Sequence, residues 1–100
     1  MRVYDDIERI GIDDTIYTLQ RALTFVYNDE LLEPKVTYYF GRFELVYKHG
    51  NINIGIELPL IELRCLNFTL EQLALDVKER VISQYRSEIN KKHRGVHDKL

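Results

Sequence analysis

Residues 36–40, 43–47 and 52–58 alternate apolar and polar side chains in a register that two tight turns convert into a single sheet. A two-residue loop at Gly41-Arg42 sets Phe40 opposite Phe43, Tyr38 opposite Leu45 and Val36 opposite Tyr47. A second loop at Gly50-Asn51 sets Tyr47 opposite Ile54, Leu45 opposite Ile56 and Phe43 opposite Leu58. Every pair on that face is apolar, which specifies an antiparallel meander with one buried side. The other side carries Thr37, Tyr39, Glu44, Val46, Lys48, Asn53, Gly55 and Glu57, the mixed surface of a sheet that is wet on one face.

Helical periodicity flanks the meander. Val3, Tyr4, Ile7 and Ile10 recur at helical spacing and stop at Gly11. A second helix is expected from a cap at Asp13 to about Asn28, with Ile16, Leu19, Leu23, Val26 and Tyr27 within about 100° of arc and a staple between Ile12 and Tyr17. Phe25 falls on its opposite side, where it packs under the connection at 29–34. Over 59–66, Ile61, Leu63 and Cys65 alternate with Glu62 and Arg64, which favours a fourth strand. Thr69 and Gln72 form a capping box, with Phe68 stapled to Leu73, and a final helix follows from Leu70 to about Lys91. That helix is roughly 33 Å long, so its far end projects from a domain of this size. Its apolar residues form two rows, Leu70/Leu73/Ala74/Val77/Val81/Tyr85 and Leu75/Ile82/Ile89, together about 200° of arc. One row lies on the sheet; the other faces the helix expected over 13–28, the N-terminal helix or a second subunit. The expected architecture is α+β: a three- to four-stranded antiparallel meander covered on one face by helices, in the order α(α)-β-β-β-(β)-α. One domain is expected over 1–92, followed by a polar, basic tail over 93–100.

With 100 residues, 45% of them hydrophobic and 30% charged, the chain is long enough for one such core and too short for two. The single Cys65 excludes an internal disulfide, and no signal-like or membrane-spanning run is apparent. A cytoplasmic protein is the resulting expectation. Its net charge of -2 is unevenly spread. Residues 1–33 set eight acids against Arg2, Arg9 and Arg21, whereas residues 80–100 set Arg80, Arg86, Lys91, Lys92, Arg94 and Lys99 against Glu88 and Asp98.

No arrangement of residues rises to catalysis. His93 and His97 have metal-ligand spacing, but Gly95 between them interrupts the helix such a site needs, so no metal and no cofactor are expected. Cys65 and His49 could pair as nucleophile and base; Cys65, however, falls on the apolar side of its segment and His49 at a hairpin tip, which makes a buried, inert thiol the better reading. Glu44 and Glu57 stand directly opposite on the wet face, where Lys48, Arg42 or Arg64 can neutralise them, and a flat sheet offers no cleft for chemistry.

Elimination therefore points to a non-enzymatic protein-binding module: a small adaptor, regulator or inhibitor. Acidic inhibitors of nucleic-acid-processing enzymes, such as those encoded by phages, are an analogy for residues 5–33. Two surpluses mark candidate contacts: Tyr39 and Val46 with Gly55 on the outer sheet face, and Leu75, Ile82 and Ile89 on the last helix, the latter suited to a homodimer. The alternative is a nucleic-acid-binding accessory protein using Lys91, Lys92 and Arg94; so few phosphate contacts would bind weakly and without specificity, so nucleic acid is disfavoured as a partner.

Overall fold

The Gly50 turn sits where the sequence places it, and it organises the sheet. In the computed structural model, which describes residues 2–98 and the side chains of 2–91, β4 (Arg42–His49) and β5 (Ile52–Pro59) pair antiparallel with Tyr47 opposite Ile54, Leu45 opposite Ile56 and Phe43 opposite Leu58. β3 (Lys35–Tyr39) adds to the other side of β4, giving the order β3-β4-β5. Here the register differs from expectation by two residues. Val36 faces Leu45, Tyr38 faces Phe43 and Tyr39 faces Arg42, so the turn is Phe40-Gly41 rather than Gly41-Arg42. Both central residues have positive φ, 51° and 77°, the geometry whose twist matches the flanking strands and which places glycine second. A two-residue slip keeps every side chain on its own face, so the apolar side is unchanged.

The fold is α+β. α1 (Val3–Ile10) ends at Gly11, whose φ of 88° reverses the chain directly into α2 (Ile12–Ala22). Gly11, not Asp13, occupies the cap position of α2, and no side chain caps it. Tyr17 is exposed, hydrogen-bonded to the Arg21 side chain rather than stapled to Ile12. α2 is also shorter than expected. Residues 23–28 leave the helix, and β1 (Phe25–Tyr27) and β2 (Glu30–Leu32) form a small antiparallel hairpin around Asn28-Asp29. Those two residues have φ of 52° and 65°, again a left-handed pair, and Asn and Asp accept it readily. Phe25 consequently lies in a strand, with its ring 5.6 Å from that of Tyr47.

Residues 60–66 are helical, not a fourth strand. β5 ends at Pro59, whose fixed φ of -64° starts α3 (Leu60–Leu66), and Asn67 in the left-handed region ends it. α4 (Leu70–Asp98) starts as expected: the Gln72 N–H donates to Thr69 Oγ1 at 3.2 Å and the Thr69 N–H to Gln72 Oε1 at 3.0 Å. It continues through Gly95, past the expected end near Lys91. At about 1.5 Å per residue a 29-residue helix is roughly 43 Å long, which accounts for the 56 Å long axis of the molecule.

The core lies between the inner sheet face and the helices. Phe43, Leu45, Tyr47, Ile54, Ile56 and Leu58 meet Leu73, Val77 and Val81 of α4, with Leu19 of α2 and Leu23 just after it over β3 and Val3 and Ile7 of α1 closing one end. The first row of α4 is thus the one laid on the sheet. Tyr47 joins three elements, since its hydroxyl donates to the Leu23 carbonyl at 2.6 Å where α2 ends. All the helices pack on one face, and the other face of β3-β4-β5 is left open.

Candidate functional site

Alternation along three paired strands builds the outer face in cross-strand rows. Tyr39 lies beside Arg42 and Pro59, Thr37 beside Glu44 and Glu57, Lys35 beside Val46 and Gly55, and Lys48 beside Asn53. Glu44 and Glu57 are directly opposite, as their sequence positions imply. Arg42 lies beside both: its Nε is shielded from solvent, 3.5 Å from Glu44 Oε1 and 3.9 Å from Glu57 Oε1. The guanidinium also lies 5.0 Å from the centre of the Tyr39 ring and donates to the Tyr39 hydroxyl at 3.3 Å. That hydroxyl contact, then Glu57, hold Arg42 even more firmly in its charged form than usual.

Beside it the sheet has a shallow depression lined by Glu44, Leu45, Val46, Gly55, Ile56 and Glu57. Gly55 is its floor. The residue has no positive φ, and a Cβ built there would meet nothing within 4 Å, so neither backbone geometry nor packing in the isolated chain requires glycine. A mid-strand glycine weakens a strand and otherwise marks a place where another backbone or ligand approaches closely. Val46 (37% exposed) provides apolar surface in the same row and Tyr39 (41% exposed) two rows away. The structure therefore places Tyr39 and Val46 on one continuous uncovered face, together with Gly55.

The second set is elsewhere. Leu75 is 64% exposed at the junction of α4 with α2 and β1, while Ile82 and Ile89 are half-buried along α4. The N-terminal helix packs on α2 and α3 and meets the α4 region at its start, through the Val3 N–H to Phe68 carbonyl bond and the Arg2–Thr69 bridge. Lys91 is exposed with Nζ 3.6 Å from Glu88 Oε1; the side chains of Lys92, His93, Arg94 and His97 lie outside the described residues. Among the described residues no group of three or more His, Cys, Asp or Glu side chains could hold a metal.

Cys65 is exposed, because a helix turns away a side chain that a strand would bury. His49 is half-buried in β4, with Nε2 2.9 Å from Glu30 Oε2 and its ring 4.7 Å from Tyr85. Thiol and imidazole sit at opposite ends of the sheet, so they do not form a pair: Cys65 is in the helix that follows Pro59, which is opposite Arg42, whereas His49 ends β4.

The most exposed aromatic residue was not singled out from the sequence. Phe40, placed there in a strand opposite Phe43, is instead the first central residue of the β3–β4 turn and is 89% exposed. Gly41 suits either register, second in the observed turn or first in a Gly41-Arg42 turn, so the sequence carries no signal that sets Phe40 in the turn.

No protein family, curated protein or solved structure matches this chain. No described helix is long and apolar enough to cross a membrane.

Proposed function

We propose that this chain is a non-enzymatic protein-binding module, an adaptor, regulator or inhibitor acting in the cytoplasm, and that its outer sheet face is the principal contact surface. The observation that carries the reading is Gly55: a mid-strand glycine that the isolated fold does not need, set in a depression between Val46 and the Arg42-bridged carboxylates. A partner approaching the sheet closely at that point supplies the missing reason. The flanking charges, Lys35 and Lys48 on one side and Glu44 and Glu57 on the other, form the polar rim expected around such a contact.

The test is a paired purification of wild type and Gly55→Thr from the native host, with mass spectrometry of what accompanies each. Threonine suits a strand, so the variant is expected to be more stable by about 1 kcal/mol and to lose the wild-type partner. A variant that is no more stable, or that retains the partner, counts against the reading.

A second copy is the occupant we propose for the other apolar row. Leu75, Ile82 and Ile89 are seven apart on α4, a spacing that two antiparallel helices can share in a two-fold dimer. Light scattering should give a mass of two chains for wild type and a folded monomer for Ile82→Glu. A wild type that stays monomeric at high concentration removes the dimer.

A further inference from the structure

Phe40 sets its turn apart from the other tight turns of the chain. At Asn28-Asp29 both central residues have positive φ, and in the β4–β5 turn Gly50 does, conformations that Asn, Asp and Gly adopt easily. The β3–β4 turn makes the same demand and meets it with Gly41 in the second place but with a phenylalanine, at φ 51°, in the first. A bulky side chain is disfavoured in the left-handed region. Burial does not offset this, because Phe40 is 89% exposed and its recorded aromatic neighbour is Tyr39, 5.2 Å away edge to face. Sequence and backbone geometry thus conflict at one exposed position, the kind of conflict that points from an outlier to a function.

The surroundings of the turn are ordered. The Leu60 N–H donates to the Gly41 carbonyl at 2.9 Å, tying the turn to α3, and Arg42 stacks on Tyr39 on the other side. Beside Gly41 is a shallow depression lined by Tyr4, Leu60, Ile61 and Arg64. Ile61 is 66% exposed, and Arg64 has no carboxylate within ion-pair distance among the described residues. A braced turn that carries an aromatic knob therefore adjoins, through Gly41, an aliphatic side chain and a guanidinium of α3 that has no ion-pair partner among the described residues.

We propose that Phe40 is an anchor side chain: the β3–β4 turn inserts into an apolar pocket of a protein partner, with Ile61 at the pocket wall and Arg64 meeting carboxylates at its mouth. This rests on the protein-binding reading and adds the chemistry of the partner's site. With Glu62 exposed next to Ile61, Arg64 belongs to no polybasic cluster of the kind an anionic membrane surface binds, whereas one guanidinium suits a single carboxylate at a pocket mouth.

The test replaces Phe40, Ile61 or Val46 of the full chain, one at a time, with the photoreactive p-benzoylphenylalanine in native-host cells, and maps the crosslinked peptides. The expected result is that positions 40 and 61 mark one segment of one protein, with apolar residues and Asp or Glu side by side. Phe40→Asn should melt higher than wild type yet lower the adduct from position 61 at least tenfold, and Arg64→Glu should lower it similarly without a change in melting. A Phe40→Asn protein that melts lower overturns the inference. So does an adduct with another copy of this chain, or Phe40-dependent sedimentation with phosphatidylcholine–phosphatidylglycerol vesicles. An adduct from position 46 with none from 40 or 61 overturns the anchor and leaves the protein-binding reading standing; no adduct from any of the three removes both.

Discussion

Leu45→Asp should unfold this protein at room temperature or lower its melting temperature by about 20 °C or more. Leu45 is fully buried on the inner face of the central strand, between Val36 and Ile56. A carboxylate there has no cation or donor within the apolar core, and removing the leucine also removes its packing, together at least about 4 kcal/mol. A domain of 100 residues has on the order of 5–15 kcal/mol in total. Glu44→Gln, one residue away, should change stability by less than about 0.5 kcal/mol, because the loss of an ion pair with Arg42 is offset by relief of repulsion from Glu57. Thermal and urea melts of the two variants test the face assignment directly, and similar tolerance of both changes would contradict it.

Alkaline pH should expose the second large effect, at Tyr47. Burial raises its phenol well above the ordinary tyrosine range, and the neutral hydroxyl donates to the Leu23 carbonyl where α2 ends. In the unfolded chain the same phenol loses its proton near pH 10, whereas in the fold it keeps it. The unfolded state is therefore favoured progressively above pH 10, by about 1.4 kcal/mol per pH unit, or about 2–3 kcal/mol between pH 10 and 12. Tyr47→Phe should cost about 1–2 kcal/mol at pH 7, since the Leu23 carbonyl loses its donor, and should show a shallower fall above pH 10 than wild type. Urea midpoints measured from pH 8 to 12 for both proteins check this; parallel curves would mean that Tyr47 is not the group held neutral.

What the sequence conveyed and what it withheld follow from the length of each periodic run. The sheet's faces were legible because alternation persists over three strands, and the capping box because Thr69 and Gln72, three apart, make reciprocal hydrogen bonds. Residues 60–66 were not, since over seven positions Leu60, Leu63 and Leu66 fit a helix as well as Ile61, Leu63 and Cys65 fit a strand. Val26 and Tyr27 extended the apolar stripe of α2, and only the turn chemistry of Asn28-Asp29 separates a hairpin from a helix end there. At the β3–β4 turn the pattern could not choose between registers two residues apart, because both bury the same face and Gly41 suits both turns, second in one and first in the other. Tyr39 and Val46 were found by face assignment, Gly55's empty surroundings needed coordinates, and Phe40 was hidden by the register.

Amide chemical shifts of the labelled domain, with and without one equivalent of the partner that accompanies wild type, test the binding surface most directly. The account predicts changes at Thr37, Tyr39, Glu44, Val46, Gly55 and Glu57 and at the Phe40-Gly41 turn, with α2 unaffected. Changes confined to α2 or to the part of α4 beyond Tyr85, with the sheet unmoved, would contradict it.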